Sequence, residues 1–194
     1  MKKIMMTLVA ALMAVTMNAQ NMYVGGSLGY STTSQDGTTL DTRFSLIPEF
    51  GVSFNDKMGV GVEIGYSSDK DEQSHAPNTV TESTFKFAPY FRYTALKLGN
   101  VSVFGDGQFS YATTKTETKA KNGNTNDRTV NNWGLYVKPG IAYNLNEKFA
   151  LVAKFGNIIG YTSNKLDVNG AKAKSTFELL NLTNNIQFGF YYNF

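Results

Sequence analysis

The residues that could support catalysis are concentrated around one histidine. His75 is the only histidine of the chain, and it lies in the polar stretch S-D-K-D-E-Q-S-H-A-P. A hydrolase or acyltransferase needs a hydroxyl nucleophile, a base and a carboxylate held in one geometry. The groups available near His75 are Ser67, Asp69, Asp71, Glu72 and Ser74. All of them fall in a single predicted loop, where such a composition is ordinary, so we expect no catalysis.

Cofactor and metal chemistry has equally little support. The chain contains no cysteine, which excludes disulfides, thiolate metal sites and a lipid-modified N-terminal cysteine. The loop carboxylates show no fixed ligand spacing, and no phosphate loop or nucleotide fingerprint occurs elsewhere. The formal charge of +3 falls to +1 without Lys2 and Lys3. We therefore expect no metal, no cofactor and no nucleic-acid partner.

A second group of charged residues alternates with small residues inside extended segments. Its members are Arg43, Glu49, Glu63, Lys86, Arg92, Asp106, Lys138 and Lys154. Both signs are present on one face of the predicted strands, with Arg43 at the rim. Because buried charges must be paired, the pattern predicts a hydrogen-bonded charge network in the lumen of a narrow barrel.

The segments that position these charges alternate with a period of two. In residues 58–66, Met, Val, Val, Ile and Tyr alternate with Gly, Gly, Glu and Gly, and the chain contains eight such segments. Mean hydropathy is −0.25, and no apolar run approaches the ~18 residues of a membrane helix. Alternation of this kind predicts β-strands.

Two features indicate that the apolar face meets lipid. Aromatic residues lie near both ends of the segments, as in the interfacial girdles of membrane barrels. The predicted girdle residues are Tyr30, Phe44, Phe54, Tyr66, Phe85, Tyr93, Tyr111, Trp133, Tyr143 and Phe149. Short connections (55–57, 94–100, 144–148) also alternate with long polar ones (31–41, 67–81, 112–131, 157–176). The pattern predicts an all-β, eight-stranded antiparallel up-and-down transmembrane barrel, and the main alternative is a soluble lipocalin-like binder.

The N-terminus has the features of an export signal. Residues 1–19 combine Lys2 and Lys3 with an apolar stretch and Ala19, which predicts cleavage before Gln20. The domains are then a signal peptide, 1–19, and a barrel domain, 20–194. We expect the protein in the cell outer membrane.

The segments and the ending N-I-Q-F-G-F-Y-Y-N-F resemble the bacterial outer-membrane β-barrel family, in particular eight-stranded barrels of the OmpX and OmpA type. The stretches around Pro48, Pro89 and Pro139 are similar to the porin-like barrel-domain subgroup. The resemblance implies that the terminal strand is an assembly signal read by the outer-membrane assembly machinery. Its residues are Phe188, Phe190, Tyr192 and Phe194. The three prolines predict small bulges or lengthened ladders.

The expected function is structural or interaction-mediating, through the outer loops of a monomer. Expected partners are outer-membrane lipid, lipopolysaccharide and an extracellular protein or surface ligand. Basic loop residues that could contact an anionic surface are Lys115, Lys119, Lys121, Arg128, Lys165, Lys172 and Lys174. The alternatives are a small-solute channel or transport-accessory barrel and, in third place, a lipid-modifying enzyme. A barrel of eight strands is too narrow for a wide diffusion pore.

Overall fold

A computed structural model shows an all-β chain. It describes residues 22–35, 38–71, 78–120, 125–168, 170–183 and 186–194. Among these residues no helix is long and apolar enough to cross a membrane. The predicted signal peptide, His75, Glu72, Ser74 and Lys121 lie outside the described residues.

Ten strands follow one another along the chain. They are β1 (Met22–Gln35), β2 (Thr38–Ser53), β3 (Met58–Asp71), β4 (Asn78–Leu98), β5 (Val101–Ala120), β6 (Thr125–Asn144), β7 (Phe149–Lys154), β8 (Asn157–Leu166), β9 (Lys174–Asn181) and β10 (Gln187–Asn193). Strands β7 and β8 pair with successive parts of β6, and together they form one interrupted barrel strand. Strands β9 and β10 form the last one in the same way.

All pairings are antiparallel, and β10 pairs with β1 to close the ring. The predicted eight-stranded antiparallel barrel is therefore confirmed. The closing pairs run only from Tyr23–Asn193 to Ser27–Gly189. Beyond Ser27, β1 pairs with β2 alone among the described residues, and β9 pairs with β8 alone.

The barrel is polar inside and apolar outside. On β3, Glu63 is 2% exposed while its neighbour Ile64 is 43% exposed. The predicted girdle rings face outward, and cross-strand pairs join Tyr30 to Phe44, Tyr66 to Phe85 and Tyr111 to Trp133 in one layer. Phe54, Tyr93, Tyr143 and Phe149 form the layer at the other end.

The short turns have a local cause. The side-chain Oδ1 of Asn55 accepts hydrogen bonds from the backbone N–H groups of Lys57 and Met58, at 2.9 and 2.8 Å. Asn146 repeats this arrangement with Lys148 and Phe149. Asparagine closes such turns because its side chain replaces a backbone acceptor. We call this end of the barrel, where the described chain also begins and ends, the short-turn end, and the opposite one the far end.

The predicted long loops are largely wrong. Strands β5 and β6 continue to Ala120 and start again at Thr125, inside the predicted loop 112–131. Likewise β8 and the start of β9 occupy most of the predicted loop 157–176. Polar residues predominate in the β5 and β6 extensions, where four of the nine residues from Ala112 to Ala120 are threonine. The backbones of these two extensions pair with each other although no apolar alternation marks them. The sheet therefore projects well beyond the far girdle.

The three prolines are accommodated in two ways. Pairing between β2 and β3 skips Ile47 and Pro48 and then resumes in the same register. Pairing between β4 and β5 is likewise interrupted at Pro89 and resumes in the same register. At Pro139 the partner strand is interrupted between β7 and β8. Val137 pairs with Ile159 and Gly140 pairs with Lys154, so the partner strand advances five residues while β6 advances three. There the Phe155 N–H donates to the Pro139 carbonyl at 3.0 Å. The predicted bulge thus occurs at Pro139, opposite the proline rather than on its own strand.

Candidate functional site

An arginine lies at the centre of the lumen in its short-turn half. Arg92 on β4 donates from Nε and Nη2 to the two carboxylate oxygens of Asp106 on β5, at 2.7 and 2.8 Å. Its Nη2 also reaches Glu49 on β2 at 3.1 Å. The guanidinium lies over the ring of Phe104, with 3.9 Å between Cζ and the ring centre. Bidentate pairing fixes the guanidinium plane and neutralises charges that have left water.

A lysine on the opposite wall joins the remaining carboxylates. Lys154 on β7 contacts Glu49 and Glu63 at 2.8 Å each and Asp106 at 3.4 Å. Lys86 donates to the second oxygen of Glu63 at 2.9 Å. These strands are far apart in sequence, so the barrel wall alone brings the groups together. We call Glu49, Glu63, Lys86, Arg92, Asp106 and Lys154 the lumen cluster.

Three tyrosines that the sequence analysis did not select complete the cluster. Tyr191 donates to Glu49 at 2.8 Å and accepts from Arg92 at 3.0 Å. Tyr90 donates to Glu49, and its hydroxyl is 2.5 Å from that of Tyr23. All three are buried. Their hydroxyls supply donors and acceptors that the ion pairs leave unsatisfied, and their rings fill the lumen.

Inward-facing glycines are the signal that could have identified these tyrosines. A Cβ built on Gly61 would lie 2.2 Å from the Tyr90 hydroxyl, and one on Gly51 would lie 2.2 Å from the Tyr23 ring. Neither position tolerates a side chain while the ring is in place. A glycine on the lumen-facing side of one strand therefore indicates that a large side chain from another strand fills the space beside it.

Two residues predicted for the network make other contacts. Arg43 lies at the rim, where its side chain is 59% exposed, and it pairs with Asp69 at 2.5 Å. Lys138 faces the lumen, but its Nζ lies over the Tyr136 ring, 5.1 Å from the centre, and it has no carboxylate partner among the described residues. The structure thus unites six of the eight predicted charges.

The far half of the lumen contains a cavity of about 510 Å³. Serine and threonine hydroxyls, an amide and two cations form most of its wall. The lining residues are Arg43, Ser45, Ile47, Gly65, Tyr66, Ser67, Thr84, Lys86, Ile186 and Gln187. The lumen is therefore filled in one half and open in the other.

Charges at the far end are partly paired. Lys115 contacts Glu117 at 2.7 Å and Asp127 at 3.3 Å, and hydrogen bonds to these two carboxylates raise its pKa. The hydrogen bond that Asp41 shares with Asp69 raises the pKa of Asp41, and the nearby Arg43 opposes this shift. Each of these two groups combines one cation with two carboxylates on the strand extensions.

The β8–β9 hairpin presents unpaired positive charge. Lys165, Lys172 and Lys174 are exposed, and none has an ion-pair partner among the described residues. Lys119 and Arg128 on the neighbouring extension are also exposed without such a partner in the described part of the chain. Exposed cations of this kind can bind an anionic ligand without first breaking an ion pair.

The terminal strand presents a row of aromatic rings on the outer wall. Phe188 and Phe190 are 71% and 56% exposed. The Tyr192 ring packs between those of Phe149 and Phe194, with centres 5.2 Å apart in both cases. The row is continuous with the girdle at the short-turn end.

Comparison with known proteins agrees with this architecture. A family model described as outer membrane protein beta-barrel domain matches residues 4–194. The structure of Ail from Yersinia pestis is 16% identical, with a TM-score of 0.54 over 90% of this chain and 98% of Ail. A major outer membrane protein from Thermus thermophilus is 12% identical, with a TM-score of 0.57 over 90% and 98%. Comparison with curated protein sequences gave no match. The chain belongs to the outer-membrane β-barrel domain family, whose place is the outer membrane of the cell.

Proposed function

We propose that this barrel is a non-catalytic surface-binding protein that holds an anionic glycan through the far end of its sheet. In outer-membrane barrels the short turns are periplasmic and the opposite end is extracellular. The unpaired lysines Lys165, Lys172 and Lys174 on the extracellular β8–β9 hairpin are the observation that carries the proposal.

The filled short-turn half of the lumen supports a role at the surface rather than in transport. Arg92 and Lys154 cross the lumen to carboxylates on three other strands, and the tyrosine rings occupy the space between them. A solute passing through would have to separate buried ion pairs, which costs about 3–5 kcal/mol for each pair broken. The extracellular surface is the part of the molecule that remains available.

A structural neighbour suggests the first ligand to test. The Ail structure was determined with the heparin analogue sucrose octasulfate. A multivalent sulfate ester or a phosphorylated glycan such as lipopolysaccharide would suit three unpaired lysines, because each lysine binds as a compact point charge.

The experiment measures binding of a heparin oligosaccharide to the protein in neutral lipid vesicles. Replacing Lys165, Lys172 and Lys174 together by glutamine should weaken binding at least tenfold at low salt. The matched control replaces Lys57, Lys97 and Lys148, which are exposed at the short-turn end. Both triple variants lose the same net charge. If the control weakens binding equally, attraction to overall charge explains it and the proposed site is wrong.

We also propose that the terminal aromatic row directs assembly. Phe188, Phe190 and Tyr192 lie on the last strand and Phe194 directly follows it. A recognition factor could contact this row before the ring closes. Replacing Phe194 by Asp should reduce folded barrel in the outer membrane several-fold and leave degraded chain in the periplasm. Wild-type amounts of folded variant would disprove this role.

The two alternative functions have their own tests. A small-solute channel would give reproducible single-channel conductance in a planar bilayer, and the filled short-turn half of the lumen leads us to expect none. A lipid-modifying enzyme that uses His75 would lose activity toward lipid A when His75 is replaced by alanine. We expect neither effect, and a positive result in either experiment would replace the surface-binding proposal.

A further inference from the structure

In the part of the chain that the structure describes, the barrel wall lacks strand pairing on one side of its far half. Strand β1 from Leu28 to Gln35 pairs only with β2, and β9 pairs only with β8, among the residues that the structure describes. These two segments are the neighbours that would complete the ring above Ser27. We call the gap between them the seam.

The seam extends into the apolar zone of the membrane. Trp133 of the far girdle pairs with Ser163 on β8, and Ser163 pairs with Ser175 on β9. Ser175 therefore lies at the depth of the far girdle. Residues 176–181 are therefore deeper than the girdle, and on β1 Leu28 is deeper than Tyr30. Unpaired backbone groups are not left facing hydrocarbon at this depth. Backbone groups of the described edges can therefore stay unpaired only where they line a polar, water-filled space.

Side chains beside the seam are unusually exposed. The exposed fraction is 68% for Leu28, 70% for Tyr30, 72% for Leu180 and 71% for Phe188, against 40% for Trp133 in the intact wall. Leu180 also has a φ of +55°, which residues other than glycine rarely adopt, so β9 leaves regular geometry here. The edges of the opening therefore offer apolar contacts that no neighbouring strand of the described chain covers.

The polar cavity lies directly inside this opening. Ile186 and Gln187, at the lower end of the seam, form part of its lining. The lining contains two cations, Arg43 and Lys86, and no carboxylate of the described residues. Lys86 uses one N–H for Glu63 and keeps two further donors. A volume of about 510 Å³ is within the usual range for small-ligand sites.

We propose that the seam and cavity bind a long-chain carboxylate amphiphile that enters sideways from the outer leaflet. Its acyl chain packs on the exposed side chains of Leu28, Tyr30 and Leu180 at the edges of the seam, and its carboxylate lies in the cavity beside Lys86. An apolar opening that leads to a cationic, hydroxyl-lined cavity matches a molecule with one chain and one negative head. A second copy of this barrel could pair with the edges but would leave the cavity unused.

The test uses the protein in phosphatidylcholine nanodiscs with doxyl-labelled stearate, observed by electron paramagnetic resonance. Labelled phosphatidylcholine measures the ordinary lipid shell, and stearate should show one additional saturable site per chain. Ser67→Phe fills the cavity and should weaken this site at least tenfold. The matched control is Ser68→Phe, because Ser68 is adjacent on β3 with the opposite side-chain direction. The control should bind as the wild type does.

A second variant keeps the test decisive if Ser67→Phe fails to fold, which gel mobility without heating would reveal. Lys86→Gln should abolish the preference for labelled stearate over its methyl ester. Equal binding by the Ser67→Phe and Ser68→Phe variants, or no preference for stearate over the ester in the wild type, would overturn the proposal. A stable dimer in sedimentation, without a stearate site, would assign the seam to a second copy.

Discussion

The two halves of the lumen differ in how their polar groups are satisfied. In the short-turn half, Glu49 receives hydrogen bonds from Arg92, Lys154, Tyr90 and Tyr191, and the space is filled. In the far half, hydroxyls and cations face an open cavity, and the described wall is unpaired along the seam.

This difference shows how one narrow barrel can combine rigidity with binding capacity. Buried charges in a medium of low dielectric are costly unless they are paired, so the six residues of the lumen cluster fix the distances between β2, β3, β4, β5 and β7. Lys138, which also faces the lumen, contacts the Tyr136 ring instead. The far half of the lumen holds no such network of ion pairs among the described residues, so its cavity and the exposed strand ends remain available to ligands. We expect substitutions in the first half to change stability and those in the second to change binding or local dynamics.

The largest expected effect is at the centre of the cluster. Arg92→Met leaves Asp106 and Glu49 without their shared guanidinium and should lower the free energy of unfolding by about 3–5 kcal/mol. Arg43→Met is the control in the far half, where the exposed pair with Asp69 should contribute about 0.2–1 kcal/mol. Denaturant titration in lipid vesicles measures both. Similar losses from the two variants would remove the distinction between the halves.

The lipid-facing wall provides the next largest effect. Val62 lies on the outer side of β3 between the girdles, so Val62→Arg should cost about 2–4 kcal/mol. Ser68→Arg places the same side chain beyond the far girdle on the same strand and should cost about 0–1 kcal/mol. The same vesicle titration applies. Equal costs would mean that membrane depth has been assigned incorrectly along β3.

Hydrogen exchange should distinguish the two parts of the last barrel strand. Strand β10 pairs with β1 and β7, whereas β9 pairs with β8 alone among the described strands. Amides in β9 should therefore exchange at least about tenfold faster than those in β10, which corresponds to about 1.4 kcal/mol in opening free energy. Mass spectrometry of peptides from the two strands makes the measurement. Equal protection would indicate that the seam is closed in the membrane.

The smallest expected effect concerns pH at the far rim. Folding raises the pKa of Asp41, so its protonated form contributes stability below the ordinary Asp pKa of about 3.9, and this contribution is lost as pH rises through the folded value. Asp41→Asn should therefore remove the gain in stability that protonation of Asp41 contributes as the pH falls from 7 to 4. The difference between the unfolding midpoints at these two pH values, for variant and wild type, tests this. An unchanged slope would exclude Asp41 as its source.

Local sequence rules predicted the elements whose causes are local. Alternation located all eight barrel strands, and the asparagines in 55–57 and 144–148 mark turns that their own side chains close. The same rules failed for the β5 and β6 extensions, because polar strands beyond the membrane need no apolar face. They also failed at Pro139, where the irregularity lies on the partner strand, a feature invisible in the residues around the proline.

The sequence by itself determined the class of molecule, since period-two alternation and residue chemistry assign one face to lipid and the other to a polar interior. It also selected most of the lumen charges by their parity. Partners were decided by the tertiary structure, because ring closure brings Lys154 to Glu49 and Glu63 across more than ninety residues of chain. The seam was likewise decided at that level. Whether β9 reaches β1 depends on register accumulated around the whole ring, and no single segment encodes it.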